Sequence, residues 1–308
     1  MTMAIVFPGQ GSQSLGMLAD LAQHHSEVVQ TFGKASEILG YDLWDLAQNG
    51  PEEMLNQTDK TQPAMLAAGV AVWRVWQALG GGMPAYFAGH SLGEYTALVC
   101  SEALAFEDGI ALVAERGRLM QAAVPAGEGA MAAILGLDDD KVREICDSAA
   151  GQDVVSAVNF NSPGQVVIAG HAAAVERAVA FAKESGAKRA LLLSVSVPSH
   201  CQLMQAAAEK LAQVLETVSL RPPIIPVVQN ADVSIFTQGD DIKAALVRQL
   251  HKPVRWVETI QWMSQNGVES ILECGPGKVL AGLNKRIDRA MTALPVYDSA
   301  TMQGALSL

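Results

Sequence analysis

Charge of either sign is scarce in this chain of 308 residues: Asp, Glu, Lys and Arg make up 17 % of it, against about 25 % in ordinary globular proteins. Basic residues are the scarcer kind, 21 against 32 acidic ones, for a formal charge of −11. That balance argues against a general nucleic-acid binder, whose phosphate contacts need clustered Lys and Arg; only a local basic patch stays open. Cysteine is thin as well. Cys100, Cys146, Cys201 and Cys274 stand far apart, with no CxxC pair and no histidine-rich spacing. A disulfide framework and a zinc site are therefore not expected, and reduced thiols in a cytoplasmic protein are. Long hydrophobic runs are missing too. The most apolar stretches, around 64–79 and 129–137, are interrupted by Arg74 or too short for a bilayer, which takes about 20 apolar residues to cross. The opening Met-Thr-Met-Ala-Ile-Val-Phe-Pro has no basic stretch leading into an apolar one, so no signal peptide is expected. What remains is a soluble protein without a membrane partner. Its 50 % hydrophobic residues exclude disorder and can fill a large core.

The pattern along the chain is that of an α/β protein. Met3–Phe7 is a short β-prone run that ends in Pro8-Gly9-Gln10-Gly11-Ser12-Gln13, and Ala85–Ala88 is a second, ending in Gly89-His90-Ser91-Leu92-Gly93-Glu94. Helical periodicity fills Met65–Leu79, Tyr95–Cys100 and Phe106–Ala123. Few strands among many helices favour a parallel sheet covered on both faces. After the break Pro125-Ala126-Gly127-Glu128-Gly129 the order changes. Strands are expected at Ala130–Leu135, Val154–Phe160, Gln165–Ala169 and Ala190–Val195, with helices at Asp138–Ala149 and Ala172–Ser185. This βαββαβ order is ferredoxin-like. Its two ends lie close together, so such a unit can be inserted into a loop of another domain. Beyond it, Leu203–Val218, Asp240–Leu250, Val257–Asn266 and Val279–Asp288 read as helices. Ile224–Gln229 and Ser270–Glu273 read as strands of the main sheet.

The strongest local signal is Gly89-His90-Ser91-Leu92-Gly93. A G-x-S-x-G turn between strand and helix exposes a serine hydroxyl, and the N–H of the next residue lies at a helix N-terminus. Such a nucleophile needs a base. His24 and His25 fall in a polar helical stretch, His90 inside the turn, His171 beside a helix start and His251 in a surface-like turn. His200, in Val197-Pro198-Ser199-His200-Cys201, is favoured by elimination, which does not close the choice. In an α/β-hydrolase an acid follows the serine and precedes the histidine. Glu94, Glu102, Glu107, Asp108, Glu115 and Asp138–Asp140 occupy that interval, none of them at a strand end. A hydrolase triad fits badly. Gly9-Gln10-Gly11-Ser12 and Gly275-Pro276-Gly277-Lys278 match neither the dinucleotide fingerprint nor the P-loop. Met120, Met131 and Met204, like Trp73, Trp76 and Trp256, read first as core.

Eight motifs, in order and over nearly the whole chain, resemble one family. They are Phe7–Gln13, Thr61-Gln62-Pro63-Ala64, Gly89–Glu94, Arg116-Gly117 with Met120-Gln121, Asn161–Gln165, Val197–His200, Pro253-Val254-Arg255-Trp256 and Glu273–Gly277. Together they are similar to the malonyl-CoA:acyl carrier protein transacylases. The resemblance implies a large α/β-hydrolase-like domain with a parallel sheet (residues 1–126 and 198–308) and an inserted small ferredoxin-like α+β subdomain (127–197). It implies Ser91 as nucleophile, His200 as its base, and the backbone carbonyl of Gln249 in place of the missing acid. It implies an oxyanion hole from the backbone N–H groups of Gln10 and Leu92, with Gln10 also at the substrate, and Arg116 as the partner of a malonyl carboxylate. The implied partners are malonyl-CoA and acyl carrier protein; no metal or cofactor is implied. One departure is Ser199, where many acyltransferase domains of large synthases carry Phe, so methylmalonyl-CoA stays open as a substrate. A serine hydrolase or thioesterase on the same turn, and a non-catalytic scaffold, are the other readings. Both implied partners are anionic, so basic residues are expected near the cleft mouth. Lys188, Arg189, Lys285, Arg286 and Arg289 are the densest.

Overall fold

A computed structural model of the chain describes residues 2–193, 195 and 197–308. Its strands are β1 (Met3–Phe7), β2 (Tyr86–Gly89), β3 (Gly129–Leu135), β4 (Val155–Ser162), β5 (Gln165–His171), β6 (Arg189–Leu192), β7 (Val227–Val228), β8 (Ser270–Cys274) and β9 (Thr292–Val296). They form two sheets, β7-β2-β1-β8-β9 and β4-β5-β3-β6.

Every pairing in the first sheet is parallel. Ala4 to Phe7 are completely buried, as an apolar run at the centre of a doubly covered sheet must be. Alternation along β1 divides the core. Ile5 and Phe7 join Phe87 and Leu272 against the helices Thr58–Ala78 and Phe106–Ala123. Ala4 and Val6 join Ala88, Val228 and Ile271 against Trp256, Ile260 and Leu283 of the helices Trp256–Gln265 and Val279–Ile287. The chain leaves β1 to build β2 on one side and later β8 on the other. In such a sheet the crevice for ligands opens at the C-terminal ends of the strands where the order reverses. The loops that leave β1 and β2 there are Pro8–Gln13 and Gly89–Gly93.

The second sheet is antiparallel throughout, and its βαββαβ order and strand arrangement are ferredoxin-like. The helices Asp139–Ala150 and Ala172–Glu184 cover one face. Met131, Val158, Val167 and Ala169 on the other face pack with Cys201. Val254 fastens β4 to the rest of the chain, donating its N–H to Val158 O at 2.8 Å and accepting from Phe160 N at 3.1 Å.

Several elements differ from the sequence expectation. The strand at Ile224–Gln229 is only Val227–Val228, because Pro222, Pro223 and Pro226 cannot donate to a ladder. β9 was not expected at all: Pro295 lies within it, and only an edge position, which β9 holds, tolerates that. The helix expected from Met65 begins at Thr58 and carries Pro63 inside it. Proline near a helix start reads as a boundary in sequence, yet here both sides of it are packed. The strand expected at Ala190–Val195 runs Arg189–Leu192, with Leu193 N still donating to Met131 O at 2.9 Å, and Ser194 lies outside the described residues.

The G-x-S-x-G turn shows why its glycines are there. A Cβ at Gly89 would fall within the Gly93 carbonyl, and one at Gly93 would overlap the Phe7 carbonyl oxygen. The turn is pressed against β1 with no room for a methyl group. Gly93→Ala is expected to destabilise the fold by about 3 kcal/mol or more. A melting temperature within about 1 °C of the unaltered protein would show that the backbone has room to move.

Candidate active site

Ser91 holds a φ of 52° at the turn after β2, a left-handed conformation that costs a non-glycine residue about 1–3 kcal/mol and must be held by its surroundings. Asn230, just beyond β7, does the holding. Its Oδ1 accepts from Ser91 N at 2.7 Å and its Nδ2 donates to Gly89 O at 2.5 Å. Its own N–H donates to Glu94 Oε2 at 2.6 Å. Because Asn230 occupies the Ser91 N–H, the next free amide of the turn is that of Leu92. Glu94 is fully buried, and burial pushes its carboxyl up to about 8 against the opposing pull of the Asn230 N–H.

The Ser91 hydroxyl lies 2.7 Å from His200 Nε2, and His200 Nδ1 lies 2.7 Å from the carbonyl oxygen of Gln249. Gln249 ends no strand; it sits in the helix Gly239–His251. A backbone carbonyl at Nδ1 fixes the tautomer with the proton on that nitrogen, leaving Nε2 free to take one from the serine. No carboxylate adds negative charge behind the imidazole. His200 is 3 % exposed, and burial first, the Arg116 cation second, hold it down to about 3. It is neutral and ready to act as a base.

Arg116 comes from the helix Phe106–Ala123 and is 1 % exposed. Its guanidinium donates to Gln62 Oε1 at 2.7 Å, to Gln249 Oε1 at 2.9 Å and to Ser91 Oγ at 3.4 Å. It also lies 5.2 Å from the centre of the Tyr95 ring, a favourable seat for a cation. Gln249 therefore works at three atoms, since its Nε2 donates to Ser91 O at 2.8 Å as well. Gln10 and Leu92 line the cavity that contains Ser91, Arg116 and His200. Their backbone N–H groups meet no acceptor among the described residues. Two such amides beside a serine can receive the oxyanion of a tetrahedral intermediate.

The fold thus gathers Gln10, Ser91, Leu92, Arg116, His200 and Gln249 from five separate stretches of chain. His90, inside the turn, also lines this cavity, but its Nε2 is engaged with Asn161 Oδ1 at 2.8 Å and its ring packs on Trp256. His171 accepts from Val154 N through Nδ1. Met120 and Met131, read from sequence as core filler, line the cavity with Ser199 and Val197. Asn230 had no sequence signal beyond a polar residue after a short apolar run. Gln62 stood in a quoted motif without a role. Lys188, Arg189, Lys285, Arg286 and Arg289 are all absent from the cavity lining, and Arg286 reaches instead to Gln165 Oε1 at 2.9 Å. No group of side chains suited to a metal ion occurs among the described residues, and no described helix is long and apolar enough to cross a membrane.

A parallel α/β sheet, a serine on a sharp turn, a histidine at hydrogen-bond distance and two free amides define the class of proteins that move acyl groups. The model of the acyl transferase domain family matches residues 4–297, and the chain belongs to that family. It is 57 % identical over 305 residues to the malonyl CoA-acyl carrier protein transacylase of Escherichia coli (strain K12), covering 99 % of each chain. Among solved structures it is similar to a malonyl-transacylase in complex with its holo type II PKS acyl-carrier protein. That likeness has a TM-score of 0.99 and 57 % identity, covering 100 % of this chain and 99 % of the other. An acyl carrier protein S-malonyltransferase from Vibrio cholerae O1 matches with a TM-score of 0.97 and 58 % identity over 99 % of both chains.

Proposed function

We propose that this enzyme transfers the malonyl group from malonyl-CoA to the phosphopantetheine thiol of acyl carrier protein, supplying fatty acid synthesis. The observation that carries the reading is Arg116, a buried cation whose partners are neutral oxygens and which stands 3.4 Å from the Ser91 hydroxyl. It offers an acyl group's free carboxylate a bidentate partner beside the nucleophile. His200 Nε2 takes the Ser91 proton as Oγ attacks the thioester carbon, and the Gln10 and Leu92 amides receive the developing oxyanion. The C–S bond breaks, and CoA leaves as a thiol with the proton that His200 returns. The carrier thiol then gives its proton to His200 and attacks the malonyl ester; the C–Oγ bond breaks and His200 returns the proton to Ser91 Oγ. The carbonyl of Gln249 keeps the imidazole oriented through both halves.

In this reading residues 1–126 and 198–308 are the catalytic domain and 127–197 the inserted subdomain that walls the cleft. The four cysteines are buried and unpaired, which supports a reducing compartment, the cytoplasm.

Mixed with malonyl-CoA alone, the protein is expected to gain the mass of one malonyl group and to lose it on adding holo acyl carrier protein. Release of free malonate without the carrier would make it a hydrolase, and no adduct would sink the proposal. Arg116→Ala is expected to lower the preference for malonyl-CoA over acetyl-CoA by about 10- to 150-fold, the range of one charge-assisted hydrogen bond (about 1.5–3 kcal/mol). A competition assay with the two thioesters reads this directly, and an unchanged preference would remove Arg116 from the substrate.

A further inference from the structure

Arg116 is aimed without being neutralised. Gln62 Oε1 at 2.7 Å and Gln249 Oε1 at 2.9 Å are neutral acceptors, and no carboxylate pairs with the guanidinium among the described residues. Its Nε makes no hydrogen bond among the described residues. Glu94, the carboxyl close enough for Arg116 to feel, is turned to the Asn230 N–H instead. Gln62 is itself oriented: its Nε2 donates to Met120 Sδ at 3.4 Å, which leaves Oε1 for the guanidinium. It stands in the helix Thr58–Ala78 and is 1 % exposed.

We propose that Gln62 is a positioning and specificity-determining residue: its neutral amide oxygen points Arg116 at Ser91 while leaving the cation's charge for an anionic acyl group. This deepens the malonyl reading and rests on it. A glutamate at this place would hold the guanidinium with the same geometry. It would also supply the buried counter-ion, so an incoming carboxylate would meet a neutral pair and a negative oxygen beside it. Like charges so placed oppose binding strongly. An apolar residue of the same length would loosen the aim of Arg116 but leave its charge free. The choice between amide and acid at residue 62 thus sets whether the pocket prefers a dicarboxylic or a neutral acyl group. Gln249 contributes the same kind of contact, but it also touches Ser91 and His200, so its substitution would mix effects. Gln62 touches neither.

The test compares Gln62→Glu and Gln62→Met with the unaltered enzyme, measuring kcat/KM for acyl-enzyme formation from malonyl-CoA and from acetyl-CoA. Gln62→Glu is expected to lower the malonyl-to-acetyl ratio by about 100-fold or more. Gln62→Met is expected to lower it by about three- to tenfold, mainly through KM for malonyl-CoA. A purely structural role predicts the opposite order, because methionine loses the hydrogen bond that glutamate keeps. A ratio in Gln62→Glu within about threefold of the unaltered enzyme, or a fall in Gln62→Met as deep as in Gln62→Glu, would overturn the proposal. If Gln62→Glu fails to fold, as circular dichroism would reveal, an unchanged ratio in Gln62→Met overturns it and a modest fall through KM supports it. An unaltered enzyme with no preference for malonyl-CoA would instead bring down the malonyl reading on which this rests.

Discussion

Ser91→Ala is expected to abolish the malonyl adduct and to lower transfer to the carrier by about a million-fold, the scale on which serine enzymes lose rate when the nucleophile goes. The remaining site would still bind the thioester, because Arg116, Gln10 and Leu92 keep their positions. Binding measured by calorimetry is therefore expected to survive while intact-mass spectrometry finds no acylated protein. The fold should survive as well. Asn230 holds the turn through the Ser91 backbone N–H at 2.7 Å, a contact that alanine retains. Adduct formation at an unchanged rate in Ser91→Ala would place the nucleophile elsewhere.

The second large effect is expected from His200→Ala, a loss of about 10⁴- to 10⁶-fold in acylation, with the Ser91→Ala/His200→Ala pair little worse than either alone. Two groups that act on one proton are not additive. The unaltered enzyme carries a further signature in its pH profile. Burial and the Arg116 cation hold His200 down to about 3. A histidine with a lowered folded value stays neutral, and so competent as a base, at every pH above that value. The acid limb of kcat/KM for malonyl-CoA is thus expected well below the ordinary imidazole value of about 6.5. Once malonyl is bound, its carboxylate offsets the Arg116 charge, one of the two main causes of the lowering. The limb for the second half-reaction is expected at higher pH than that for the first. Arg116→Ala should raise the first limb for the same reason. A first limb at 6.5 or above in the unaltered enzyme would mean that His200 is not the base or is not buried during catalysis.

How much of this site was legible in the chain depends on the type of residue. Ser91 announced itself, because a serine between two glycines after an apolar run has few structural uses, and the packed Gly89 and Gly93 give the reason. His200 emerged from six histidines only by elimination, and Arg116 and Gln249 only through a family resemblance. A helical arginine looks like a solvated charge. A glutamine whose backbone carbonyl does the orienting leaves no trace in its side chain. Gln62, Asn230 and the amide of Gln249 were illegible in a stricter sense. Neutral amides carry neither periodicity nor charge, and their partners lie 54, 139 and 133 positions away. Pro63 added to the difficulty by suggesting a helix boundary beside Gln62, within a helix that runs on through it.

The sequence by itself indicated the α/β class, the βαββαβ unit, the G-x-S-x-G turn between strand and helix, and the lack of an acid placed for a hydrolase triad. These depend on local periodicity, on glycine and proline, and on what the chain lacks. Charge misled in part: −11 overall gave no hint of anionic partners, while the proposed preference for an anionic acyl group rests on one buried arginine. Only the tertiary structure could decide that. In the proposed role the charge of Arg116 acts because burial removes water and because the oxygens that converge on it are amides rather than carboxylates. Convergence of that kind is set by packing between distant helices, which no local pattern in the chain records.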